Sequence, residues 1–213
     1  VENSPDEPGF VYELLEVVHK KADLPYQPKF YPWARAQMMA KEPENTQYMI
    51  FSVTRTPDRE AQYQWVLNLL PIRTAFITLP GKEQINSIAE AREKNLRVGV
   101  NQETPWHKFL LKENFENIDL VTDEEFNAKK LMAGRIDAWY VPIDRAFYYL
   151  KKLGLQEQPV AGEPLQTGDL YLAANLQFPA EIAAKLQAAF EAVKQENSYQ
   201  DLYDKYFSFA QSK

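Results

Sequence analysis

Arg97-Val98-Gly99-Val100-Asn101-Gln102-Glu103-Thr104-Pro105-Trp106 is the stretch whose reading decides the fold. Arg97–Asn101 reads as a strand, Gln102–Pro105 as a loop, and Trp106–Asn114 as the helix that the loop opens. The same alternation continues downstream. Ile118–Val121 reads as a short strand, Glu124–Ala133 as a helix, Ile136–Val141 as a strand and Asp144–Leu153 as a helix. Gly134 follows the second helix, where glycine commonly ends one because it tolerates a left-handed backbone. Strands that alternate with helices need long crossovers, so the pattern predicts an α/β chain with mostly parallel sheet covered by helices.

The rest of the chain extends that pattern in both directions. Asn3–Gly9 carries turn residues. Phe10–Lys21 has apolar residues at helical spacing. Leu24–Tyr31 alternates and contains Pro25 and Pro28; it predicts a short strand. Pro32 starts a helix over Trp33–Lys41. Gln47–Val53 predicts a strand, Thr54–Glu60 a polar loop, Ala75–Leu79 a strand that carries the chain elsewhere, and Ile85–Lys94 a helix. Leu170–Ala174 predicts a strand, followed by helices over about 179–196 and 198–207. There is no internal repeat and no low-complexity tract.

Composition narrows the function classes. The 213 residues are 45% hydrophobic and 25% charged, enough to bury a core in one large or two small domains. The net charge of -6 argues against nucleic acid or an anionic membrane as partner, since both require clustered positive charge. No apolar run approaches the length of a membrane span. With no cysteine, structural disulfides, thiolate metal sites and thiol nucleophiles are excluded. His19 and His107 lie far apart without metal-ligand spacing, and read as structural or surface residues. Seven glycines and no glycine-rich phosphate loop leave no cofactor cradle. No cofactor and no metal are therefore expected. The start at Val1-Glu2-Asn3 reads as a processed or truncated N-terminus, with any signal peptide or lipid-bearing cysteine upstream. The end over residues 207–213 reads as a natural stop.

Three stretches carry a resemblance. They are Gly9-Phe10-Val11-Tyr12-Glu13-Leu14, then Ser52-Val53-Thr54-Arg55-Thr56-Pro57-Asp58-Arg59-Glu60 with Tyr63-Gln64-Trp65-Val66, and Arg97–Thr104 together with Leu131–Ala138. In order and spacing they resemble the family-3 extracellular solute-binding proteins, which include the polar amino-acid receptors of ABC transporters. Pro32-Trp33-Ala34-Arg35 is similar to a proteobacterial subgroup of that family. The resemblance implies a two-lobed type II periplasmic binding protein fold. Lobe 1 would comprise residues 1–74 and 171–213, lobe 2 residues 75–170, with the two crossovers as hinge and a solute in the inter-lobe cleft. The family's opening strand lies before Val1 or is absent.

The resemblance also implies a ligand set. Arg59 matches the family's carboxylate-binding arginine: a planar fork suited to a carboxylate, expected at the start of a helix that also favours an anion. Its tripeptide alone favours a surface arginine paired with Asp58 or Glu60, a reading that the resemblance reverses. Thr54 and Ser52 would supply donors beside it. Arg55 is a second cation that either contacts solute or buttresses the loop; a real second cation would suit a dicarboxylate. Trp33 and Arg35 open a helix placed by the resemblance at the cleft. From lobe 2, Thr104 would donate to the solute, and Glu103, where the family often has glycine, either is an ordinary solvated loop carboxylate or narrows the site or meets an ammonium. Tyr140 and Asp144 end the strand after Asp137. Where amino-acid receptors carry an acid for the α-ammonium, this chain has Pro142, and Asp144 either substitutes or caps its helix.

The function implied is capture of a small carboxylate-bearing solute, an amino acid or related organic acid, by a monomeric periplasmic receptor. It would serve an ABC-transporter permease or a sensor, without catalysis. The alternative is an enzyme on the same scaffold, similar to cyclohexadienyl dehydratase, with Glu103 or Asp144 as the general acid that such an elimination requires.

Overall fold

In this computed structural model, which describes residues 8–209, helices α1 (Phe10–Lys21) and α2 (Trp33–Lys41) precede strand β1 (Met49–Thr54) and the long strand β2 (Gln64–Thr78). Then follow α3 (Ile88–Glu93), β3 (Val98–Asn101), α4 (Pro105–Lys112), β4 (Ile118–Val121), α5 (Glu124–Met132), β5 (Ala138–Pro142) and α6 (Ile143–Lys152). The chain continues through β6 (Val160–Ala161), β7 (Gln166–Ala174), α7 (Ala180–Gln195) and α8 (Ser198–Phe207). The turn expected over Asn3–Glu7 and the last residues, 210–213, lie outside the described residues. The chain forms two compact units. Among the described residues, unit 1 comprises residues 8–71 together with Gly168–Tyr206; unit 2 comprises Ile72–Thr167 with residues 207–209. β2 and β7 are the strands in which the chain passes from one unit to the other.

In unit 1, helical spacing places Phe10, Leu14, Leu15 and Val18 on one buried face of α1, which packs against α7. The Tyr199, Tyr203 and Tyr206 rings make T-shaped contacts with Phe10. β1 pairs antiparallel with β7, and the register slips between Phe51 and Val53. Ser52 is therefore the extra residue of a β-bulge, a device that bends an edge and re-aims side chains. Val53, Ile50, Tyr63 and Ala173 form the small core beneath this pair.

The strand expected over Leu24–Tyr31 does not form. The segment is irregular in the structure. Pro25 and Pro28 carry no N–H, and a strand exists only as part of a ladder. Between this segment and β1 runs a trough of about 470 Å³, lined by Tyr26, Phe30, Tyr48 and Phe51 among others.

In unit 2, β3 pairs parallel with both β4 and β5, as the strand–helix alternation predicts. The pairs of β2 with β5 and with β6 are antiparallel. The pleat of β5 divides the core between two faces. Ala138 and Tyr140 join Phe76, Val98, Val100 and Leu110 on one face. Trp139 and Val141 join Ile77, Leu131 and Leu150 on the other, where Phe209 also packs. α5 ends as its glycine predicts. Gly134 has φ 64, its N–H donates to the Leu131 carbonyl at 3.0 Å, and the Arg135 N–H reaches the Lys130 carbonyl at 2.9 Å. Asp137 then accepts a hydrogen bond from the Arg97 N–H at 2.7 Å, which ties β5 to the start of β3.

Candidate functional site

Unit 1 brings Ser52, Thr54, Arg55 and Arg59 together on one strand end and one loop. The loop turns sharply because Pro57 pre-sets the second position of a turn, closed by the Arg59 N–H on the Thr56 carbonyl at 2.9 Å. The helix expected to begin at Arg59 is only a 3-10 turn, Glu60–Gln62. So short a turn has no appreciable macrodipole, and the guanidinium itself carries the case for an anion. Arg59 is half-buried. Its Nη1 donates to the Thr54 carbonyl at 3.3 Å, and among the described residues no carboxylate forms an ion pair with it. Beside it, burial raises the pKa of the Tyr63 hydroxyl, and the charge of Arg59 offsets part of that rise. The Tyr63 Oη is buried and has no hydrogen-bond partner among the described residues.

Arg55 differs. Its Nε and Nη2 donate to the two carboxylate oxygens of Glu60 at 2.8 and 2.5 Å. Its guanidinium carbon lies 5.4 Å from the Trp65 ring and 5.5 Å from the Tyr171 ring. Hydrogen bonds to Glu60 and then to Tyr171 hold the guanidinium protonated beyond its ordinary range, and Arg55 in turn holds the Glu60 carboxyl below the usual carboxylate range. The sequence offered Glu60 as a partner for Arg59; the fold gives it to Arg55. In this structure Arg55 thus buttresses the loop, and Trp65 adds a hydrogen bond from its indole to the Glu60 carbonyl at 3.3 Å.

Trp33 and Arg35 open α2, as the proline predicts. Trp33 is 44% exposed and, of the candidate residues, it alone lines the trough. The Arg35 guanidinium stacks over the Tyr31 ring at 5.0 Å.

In unit 2, Thr104 is the N-cap of α4. Its hydroxyl donates to the Asn101 carbonyl at 2.7 Å and accepts from the His107 N–H at 3.2 Å, so its proton is committed within the turn. Glu103 has φ 62, the left-handed region that suits the glycine found there in the resembling family. Its N–H donates to His107 Nδ1 at 3.2 Å, which gives that histidine a structural task. His19 is likewise structural: Nδ1 bonds the Leu15 carbonyl at 2.7 Å, and burial lowers its pKa. Asp144 is buried in the first turn of α6, whose N-cap position is Pro142, so Asp144 does not cap the helix. Tyr140 is fully buried, with its ring against Phe76 and Phe109 and its hydroxyl 3.2 Å from Gln166 Oε1.

Sequence reasoning missed a buried polar cluster in the same unit. Glu124 is 4% exposed and pairs with Arg145 at 3.4 Å. Its second oxygen, the Trp139 indole N–H and both polar atoms of Asn127 are buried near one another, without a well-formed hydrogen bond among the described residues. Burial raises the pKa of Glu124, and Arg145 pulls the other way. A carboxyl with a raised folded pKa binds more protons in the folded state, so stability falls as pH rises between the ordinary carboxylate range and the raised value. Urea denaturation against pH is expected to show wild type losing stability through that window relative to Glu124→Gln. A pH-independent difference would contradict the assignment.

Among the described residues no helix is long and apolar enough to cross a membrane, and no group of three or more His, Cys, Asp or Glu is placed to hold a metal ion.

A family model for bacterial extracellular solute-binding proteins, family 3, matches residues 2–209. No curated protein matches significantly. Several solved structures are similar in fold at low sequence identity. An ancestral cationic amino acid solute binding protein is 18% identical with a TM-score of 0.78, over 93% of this chain and 85% of that one. The second substrate binding domain of Lactococcus lactis GlnP, in an open conformation, is 16% identical with a TM-score of 0.76, over 93% and 85%. A histidine kinase sensor domain with similarity to periplasmic binding proteins is 14% identical with a TM-score of 0.67, again over 93% and 85%.

Proposed function

Since the chain belongs to the family-3 bacterial extracellular solute-binding proteins, we propose that it captures a small carboxylate-bearing solute, an amino acid or related organic acid, without transforming it. The observation that carries this reading is Arg59: a half-buried guanidinium on a braced loop, beside an unpartnered buried hydroxyl, with no carboxylate of its own among the described residues. An arginine fork in that state offers two parallel donors to an incoming carboxylate. Ser52, at the bulge, and Thr54 supply further polar groups on the same strand end.

The protein works outside the cytoplasmic membrane, in the periplasm, and passes its solute to the permease of an ABC transporter. The histidine kinase sensor domain similar in fold supports a sensor as the second reading of the partner.

Calorimetric titration against a panel of amino acids and small carboxylates tests the proposal, with the mixture analysed afterwards for product. One-to-one binding with the solute recovered unchanged is the expected result. Conversion of a bound acid in that mixture, abolished by Glu103→Gln or Asp144→Asn, would replace the receptor with a dehydratase-like enzyme.

A further inference from the structure

The carboxylate loop carries two guanidinium groups, and the fold treats them differently. Arg55 is already in the bidentate geometry that a bound carboxylate adopts, with both oxygens supplied by Glu60 at 2.8 and 2.5 Å. Trp65 and Tyr171 hold the guanidinium plane from β2 and β7, so the fork is fixed before any solute arrives. Among the described residues, Arg59 has only a long contact to the Thr54 carbonyl at 3.3 Å. The four charged side chains of the loop, Arg55, Arg59, Asp58 and Glu60, sum to zero, so it has no surplus positive charge for a second anion.

We propose that Glu60 sets the solute class of this loop: by filling the Arg55 fork from within the chain, it leaves unit 1 one carboxylate-binding guanidinium and selects a monocarboxylate over a dicarboxylate. The proposal rests on the reading of Arg59 as the carboxylate anchor. A second carboxylate seeking Arg55 must displace Glu60, and the displaced group stays on the same loop as Asp58. Binding the dicarboxylate therefore leaves an unpaired anion beside it, which is discrimination by a repulsive element rather than by a better fit. Both partners of the pair are about half exposed, at 42% and 51%, so the barrier is finite and a single substitution can lift it.

The test uses probe pairs matched in size and differing by one charge: L-glutamine with L-glutamate, L-asparagine with L-aspartate, and glutaramate with glutarate. In calorimetric titration of the native protein, each pair that binds is expected to favour the monocarboxylate by about tenfold or more, roughly 1.4 kcal/mol. Glu60→Gln is expected to reduce that preference to about threefold or less by strengthening the dicarboxylate. A native preference for the dicarboxylate overturns the role of Glu60, as does an unchanged ratio in a Glu60→Gln protein with a native thermal transition. Arg59→Ala distinguishes the underlying reading: if it leaves every affinity unchanged, or if no probe binds the native protein, the carboxylate-anchor reading itself fails.

Discussion

Arg59→Ala weakens the bound carboxylate by about 2–5 kcal/mol, the usual cost of truncating one side of a charge pair that is desolvated in the complex. At tenfold per roughly 1.4 kcal/mol, the dissociation constant rises by at least about an order of magnitude. The substitution barely disturbs the fold, because the side chain makes one long hydrogen bond in unit 1 and no ion pair among the described residues. Binding and thermal stability therefore separate: calorimetry shows the loss while the unfolding transition stays within a few degrees. Arg59→Lys keeps the charge but not the planar fork, so its affinity falls between native and alanine. An Arg59→Ala protein that binds within about threefold of native would remove this residue from the site.

Tyr140→Ala has the opposite signature, a large cost in stability. The ring is fully buried, 4.9 Å from Phe76 and 5.7 Å from Phe109 between centroids, at the centre of the unit 2 core. Removing a large aromatic side chain from such a position costs about 3–5 kcal/mol, from lost transfer energy and the cavity left behind. Tyr140→Phe removes only the hydroxyl and its bond to Gln166, at a cost of about 1 kcal/mol. Urea denaturation of both variants, followed by near-ultraviolet signals from unit 2, checks the magnitudes. Solute affinity is expected to stay native in Tyr140→Phe. A tenfold loss there would return the hydroxyl to the binding site.

The fold treats these two candidate residues differently. Arg59 follows a strand and Tyr140 lies near the end of one, so on sequence grounds both were candidate contacts. The difference lies in which face of the local structure each side chain occupies. At Arg59 a short polar turn ends in a 3-10 turn and leaves the side chain half-exposed. At Tyr140 the pleat of β5 turns the ring into the core beneath α4. Which face of β5 carries Tyr140 is set by pairing with strands distant in sequence.

The order of elements was legible because local periodicity controls it. The apolar spacing of α1, the proline before α2 and the glycine after α5 each act over a few residues, and each element formed where its signals stand. The resemblance of the loop through Thr54 and Arg59 to a carboxylate site was likewise carried by contiguous residues. Leu24–Tyr31 shows the limit of such signals: its alternating pattern was real, yet a strand is defined by a neighbour that local pattern does not supply. Tertiary structure alone decided that Glu60 pairs with Arg55, that Trp65 and Tyr171 cage that arginine, that Ser52 sits in a bulge, and that Glu124 is buried. The physical reason is range. Backbone preference and apolar period act between near neighbours along the chain, whereas the partner of a charged side chain and the burial of a ring depend on what packs across from them once strands from both ends of the sequence have paired.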